Sequence, residues 1–100
     1  TFFDLVLSDF FLEDHRTAAS LLHLIRVKLQ LSPQQLPVLV ITAGDDVQRQ
    51  IEAFRAGAND FVSKPFVPEV LITRVRSLLL VKKQFDVMQE QAEELRRLAV

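Results

Sequence analysis

Ala56-Gly57-Ala58-Asn59-Asp60-Phe61-Val62-Ser63-Lys64-Pro65-Phe66 is the stretch that decides the fold of this 100-residue chain. Gly57 suits a helix stop, because a left-handed residue at that place carries no steric cost without a Cβ. Asp60-Phe61-Val62-Ser63 reads as a short strand, and Lys64-Pro65-Phe66 follows it. Pro68 predicts the first turn of another helix, where a missing amide costs nothing. Helix stop, strand and helix start thus lie within one short segment.

Working outward, Pro37-Val38-Leu39-Val40-Ile41-Thr42 is β-branched and apolar, as a strand covered on both faces should be. Ala43-Gly44 turns the chain, and Asp45 or Asp46 starts a helix on which Val47, Ile51 and Phe54 form one stripe. Further upstream, Phe3 to Ser8 reads as a strand around Leu5-Val6-Leu7, closing on Ser8-Asp9. Phe10 to Arg16 is a loop. Thr17 predicts the cap of a helix reaching about Leu29, with Leu21, Leu22, Leu24, Ile25, Val27 and Leu29 on its broad apolar face. Leu31 to Leu36, with Ser32-Pro33, is a connecting loop. Downstream, Val70, Leu71, Val75, Leu78 and Leu79 form the apolar face of the last helix. The order β-α-β-α-β-α predicts an α/β fold with a parallel sheet and flanking helices. In such sheets sites lie beyond the carboxyl ends of the strands. Those ends carry Asp9, Thr42 and Lys64: a carboxylate, a hydroxyl and an ammonium.

Composition removes other classes. The chain carries 12 basic and 13 acidic side chains for a net charge of -1, which gives no bulk attraction to nucleic acid or anionic membrane. No helix-turn-helix or basic recognition helix is legible. No apolar run approaches the ~18 residues of a membrane span, and the opening residues do not read as a signal peptide. The absence of cysteine excludes disulfides and zinc-thiolate sites and is compatible with a cytoplasmic setting. With two glycines there is no phosphate-binding glycine loop. His15 and His23 alone do not make a usual zinc site.

An aspartate can attack phosphorus as a nucleophile. A lysine can pair with the acyl phosphate so formed, and a hydroxyl can donate a hydrogen bond to it. Each residue alone has a plainer role: a solvated loop carboxylate, a strand-ending threonine, a surface lysine. The phosphoryl-transfer reading rests on their coming in order from three successive strand ends.

Phe3 to Asp9, Leu36 to Ala43 and Ala56 to Phe66 resemble the response-regulator receiver domain, and the likeness spans about residues 2 to 83. It implies a partial flavodoxin-like fold that lacks the family's first strands and helices, with residues 1–83 as receiver and 84–100 as a coiled-coil output linker. Asp9 then resembles the phosphoacceptor, Thr42 the switch hydroxyl and Lys64 the phosphate-pairing lysine. Phe61 occupies the switch aromatic position, often Tyr in relatives. The Lys64-Pro65 peptide is expected to be cis. Mg²⁺ is expected, held by Asp9 and the Phe11 carbonyl, its remaining acidic ligands lying outside this chain; Asp4 stands at the wrong end of its strand to replace them. A sheet cut in this way is expected to expose an apolar edge. Glu13-Asp14-His15-Arg16, in place of the family's usual loop, reads as a solvated surface segment. The implied partners are a sensor histidine kinase or a phosphotransfer protein.

Beyond Lys83 the chain runs to Val100 without Gly or Pro. Leu78, Val81, Phe85, Met88, Ala92, Leu95 and Ala99 alternate steps of three and four, a heptad seam expected to pair two copies. Lys82 with Asp86 and Glu93 with Arg97 are expected i,i+4 ion pairs. Glu94 to Val100 resembles linkers that precede diguanylate cyclase domains. The expected function is a phosphoacceptor module of two-component signalling, which relays through its last helix and turns over no external substrate. The alternatives are a degenerate receiver acting only as a dimerisation or protein-interaction module, and a small α/β hydrolase using Asp9 and Lys64.

Overall fold

The structure, a computed structural model, describes residues 3–44 and 46–99. Strand β1 (Val6–Asp9) is followed by α1 (Ala18–His23), which runs on into a π-helical stretch (Leu24–Lys28). Then come β2 (Val38–Ala43), α2 (Val47–Ala56), β3 (Asp60–Lys64) and α3 (Pro68–Leu98). The three strands lie in the order β1-β2-β3, and both pairings are parallel. This is the α/β arrangement the sequence predicts.

Several boundaries differ. The first strand begins at Val6 rather than Phe3, because the Val6 amide is the first to reach across, to the Pro37 carbonyl at 2.9 Å. Thr17 has extended cap geometry, but its side chain makes no capping bond. The turn after His23 widens, with the Leu29 amide bonding the Leu24 carbonyl at 2.8 Å, five residues back. Asp46 caps α2, its carboxylate accepting from the Arg49 amide at 3.1 Å; the competing candidate Asp45 lies outside the described residues. Gly57 ends α2 at φ 109. A Cβ there would meet the Arg26 side chain at 2.9 Å, so both conformation and space demand glycine. Pro68 opens α3.

Alternation along the strands divides the core. On one face Val38 and Val40 pack with Phe10, Leu22, Ile25 and Ala53 beneath α1 and α2. On the other, Leu39 and Val62 meet Leu78, with Leu71, Val75 and Phe66 around them. Among the described residues α3 is the one helix over this second face, and Leu7 of β1 stays 48% exposed. Among the described residues β1 pairs on one side only, leaving the expected open edge. α3 has 31 residues, roughly 46 Å at the helical rise, and among the described residues no helix is long and apolar enough to cross a membrane. Along it Lys82 pairs with Asp86 at 2.9 Å, whereas the expected Glu93–Arg97 pair is replaced by Glu93 with Arg96 at 3.2 Å and Glu94 with Arg97 at 3.1 Å.

One side chain ties the amino ends of the strands together. Arg26 Nε donates to the Gly57 carbonyl at 2.9 Å. Its Nη1 lies 3.0, 3.0 and 2.7 Å from the carbonyls of Leu31, Ser32 and Leu36. Its Nη2 donates to Asn59 Oδ1 at 3.0 Å. That oxygen also takes the Val38 amide at 2.9 Å, while Asn59 Nδ2 donates to the Pro33 carbonyl at 3.0 Å. Burial lowers the Arg26 pKa from its usual value, yet dipoles of five carbonyl groups surround the cation. A lysine has no planar fork with which to copy this. Arg26→Met leaves these acceptors without their donor and should cost about 3 kcal/mol. Arg26→Lys should recover less than half of that, as read by urea unfolding.

Candidate functional site at the carboxyl edge of the sheet

Asp9 closes β1, Thr42 lies near the end of β2 and Lys64 closes β3. Register fixes how they relate. Asp9 stands opposite Ile41, while Thr42 pairs with Ser63 and Ala43 with Lys64. Paired residues in a sheet share a face, and neighbours along a strand alternate. Asp9 and Lys64 therefore belong to the face of Leu39 and α3, and Thr42 to the face of Val40 and α2.

The structure brings two of the three together. Lys64 Nζ lies 3.1 Å from Asp9 Oδ1, with the side chains 55% and 56% exposed. They border a shallow cleft with Phe10, Phe11, Ile41 and Ala43. Two backbone bonds hold its floor: the Phe10 amide to the Ile41 carbonyl at 2.8 Å and the Gly44 amide to the Lys64 carbonyl at 2.9 Å. The Lys64-Pro65 peptide is cis. A carboxylate this open is within reach of an incoming electrophile, and the ammonium beside it can take up charge that develops there.

Thr42 is not part of this contact. It is 1% exposed, and its hydroxyl sits 3.5 Å from Ser63 Oγ. Ser63 Oγ in turn accepts from Gln50 Nε2 of α2 at 3.3 Å. The hydroxyl is thus held on the α2 side, behind the sheet from Asp9. Phe61 lies on the same side, edge-on to Phe54 of α2 with ring centroids 5.4 Å apart.

A second link to α2 starts from the loop after Asp9. Phe10 is buried and edge-on to Phe11 at 5.2 Å. The Arg49 guanidinium lies over the Phe11 ring, 4.3 Å from its centroid, within cation–π range. Arg49 also pairs with Asp46. The helix cap of α2, a cation and the ring two residues beyond Asp9 thus form one chain of contacts. Sequence reasoning missed Ser63, Gln50 and Arg49. Only the register of β3 signals Ser63, and nothing local signals Arg49.

Glu13 to Arg16 are exposed, with Arg16 paired to Asp14 at 3.3 Å. Among the described residues no group of three or more His, Cys, Asp or Glu side chains could hold a metal ion. Mg²⁺ requires near-octahedral oxygen ligation. One carboxylate and the Phe11 carbonyl do not supply it, so the residues present do not form a metal site by themselves.

The chain matches the family model "Response regulator receiver domain" over residues 1–76. It is 41% identical over 59 residues to the response regulator MprA of Mycobacterium leprae, covering 59% of this chain and 26% of that protein. It therefore spans about a quarter of the length of that curated relative. The receiver domain of NtrX from Brucella abortus superposes with a TM-score of 0.65 at 31% identity, covering 76% of this chain and 61% of that one. A structure described as a two-component response regulator/GGDEF domain protein gives 0.68 at 32% identity, over 79% of this chain and 31% of that one.

The two halves of the edge should respond differently to substitution. The half-exposed Asp9–Lys64 pair is screened by solvent, so Lys64→Met should change unfolding free energy by no more than about 0.5 kcal/mol. Thr42→Val removes a buried hydroxyl from the Ser63–Gln50 chain and should cost about 1 kcal/mol. Urea denaturation of both variants reads the contrast.

Proposed function

Since the chain belongs to the response-regulator receiver family, we propose that it accepts a phosphoryl group on Asp9 and passes the resulting change to α3. The observation that carries this reading is the 3.1 Å contact between Lys64 Nζ and Asp9 Oδ1 at an open strand edge. In the proposed step a carboxylate oxygen of Asp9 attacks phosphorus. The bond from phosphorus to the donor's nitrogen or oxygen breaks, and its electron pair leaves with the donor. The product is an acyl phosphate, whose added negative charge Lys64 offsets. A sensor histidine kinase or a phosphotransfer protein would supply the group. Mg²⁺ would assist only if acidic ligands from outside this chain complete its shell.

Thr42 and Phe61 form the proposed switch. For the Thr42 hydroxyl to reach a phosphoryl oxygen on Asp9 it must leave its contact with Ser63. That movement opens space on the α2 side, beside Phe61. Phe61 carries no hydroxyl, so its part is packing alone. Residues 84–100 would form the output linker of the receiver, continuous with α3. The similarity to a response regulator/GGDEF structure, together with the Glu94–Val100 linker resemblance, favours a diguanylate cyclase as the output.

The test is intact-mass analysis after treatment with acetyl phosphate and Mg²⁺, on the protein carrying whatever residues precede Thr1 in its gene. A labile phosphoryl adduct that Asp9→Asn abolishes is the expected result. No adduct on a folded protein would replace this reading with that of an interaction module. Thr42→Ala should keep the adduct while reducing the phosphorylation-dependent change in amide exchange of α2 and α3 at least several-fold.

A further inference from the structure

The carboxyl edge of the sheet carries a second ion pair, and it belongs to α2. Arg49 stands in the first turn of that helix. Its guanidinium reaches the loop after Asp9, 4.3 Å from the centre of the Phe11 ring and 6.0 Å from that of Phe10. Both phenylalanines border the cleft of Asp9 and Lys64. The loop that carries Phe11 closes as a tight hairpin. Phe11 bridges to Thr17, and the Leu12 amide bonds the Arg16 carbonyl at 2.8 Å. At its tip Asp14 and His15 take positive φ of 59 and 60, as both central residues of a two-residue hairpin turn can. Phe11 is thereby fixed beside Asp9, with the guanidinium on its ring.

We infer that Arg49 is the second cation of the acceptor site: once Asp9 carries a phosphoryl group, the Arg49 guanidinium leaves Asp46 for a phosphoryl oxygen and draws the first turn of α2 toward the edge. This rests on the reading of Asp9 as phosphoacceptor, and it gives that reading a route to α2 that does not pass through Thr42.

The first argument is charge. At rest Asp9 pairs with Lys64 and Asp46 with Arg49. A phosphoryl group brings roughly −1.5 to −2 charges at pH 7, where the carboxylate carried one. Lys64 offsets one of them. Arg49 is already placed against a ring two residues from Asp9. Its side chain also has the right form. A guanidinium presents a planar fork that matches phosphoryl oxygens, and its weakly hydrated face rests on an aromatic ring. Phe11 is therefore a platform that keeps the charge beside the cleft.

The second argument is what the exchange gives up. The Arg49 and Asp46 side chains are 38% and 30% exposed, so water screens their attraction. A charge-assisted bond to a phosphoryl oxygen is the stronger one. Asp46 is not stranded by the loss. Its Oδ2 faces the guanidinium, while its Oδ1 accepts the Arg49 amide at 3.1 Å as the cap of α2. The side chain can change partner and the helix keeps its cap. No buried group has to move, in contrast to the Thr42 hydroxyl, which is 1% exposed. Because the same residue supplies the guanidinium and the capped amide, a pull on one end is felt at the first turn of α2.

Nuclear magnetic resonance of the guanidinium groups tests this on the unsubstituted protein, carrying whatever residues precede Thr1 in its gene. The Arg49 Nε–H signal is assigned by its loss in Arg49→Lys. On treatment with acetyl phosphate and Mg²⁺ that signal should shift, and its exchange with water should slow at least about tenfold, as a charge-assisted hydrogen bond forms. The amide signals of residues 47–50 should shift with it. Compared at matched adduct, counted by intact mass, Arg49→Met should reduce that amide shift at least about threefold, and Arg49→Lys should restore part of it by charge without the fork. Each comparison is between the phosphorylated and unphosphorylated forms of one variant, so a merely structural role of Arg49, equal in both forms, cancels. An adduct on Asp9 with an unmoved Arg49 signal, or with the full amide shift in Arg49→Met, overturns the role of Arg49 and leaves Asp9 the acceptor. No adduct on the folded protein overturns both.

Discussion

The cation at the amino end of the sheet, Arg26, is the constraint on which the rest of the structure depends. It reaches the end of α2 through the Gly57 carbonyl and the start of β3 through Asn59. It reaches the approach to β2 through the Leu31, Ser32 and Leu36 carbonyls. Asn59 then joins β3 to β2 by accepting the Val38 amide. Two crossover loops and two strand starts are thereby held to one planar group. A slip of one residue in a parallel pair turns every side chain to the opposite face. The Arg26–Asn59 pair opposes such a slip at the amino end of the sheet, beside the buried Leu36 and Val38.

That register determines what happens at the other end. With Thr42 opposite Ser63 and Ala43 opposite Lys64, the threonine and the lysine are divided between the two faces. Asp9 and Lys64 meet over the α3 side, while Thr42, Ser63 and Phe61 look toward α2. A change of charge on Asp9 can therefore be met from the front by Lys64. In the proposed reading it is met from behind by the Thr42 hydroxyl, drawn away from Ser63. Arg49 ties the loop after Asp9 to the first turn of α2 by a separate route. Two contact chains from one edge converge on α2, one through Thr42, Ser63 and Gln50 and the other through Phe11 and Arg49.

The strands, the helix stop at Gly57, the proline start of α3 and the three strand-end residues were all legible in the sequence. Each depends on local chemistry: β-branched apolar runs, a residue without Cβ, a residue without an amide. What was not legible depends on contacts distant along the chain. Arg26 reads locally as one more cation on a helix, and its partners lie up to 33 residues away. Nothing in the spacing of Arg49 and Phe11 indicates that they touch. The side chain of Thr42 could be placed on an edge but not on a face, because its face depends on a pairing register that strand composition does not set. In the tail the period was legible and the inner boundary was not. Leu78 satisfies the heptad spacing, and only the sheet beneath it shows that it serves the domain.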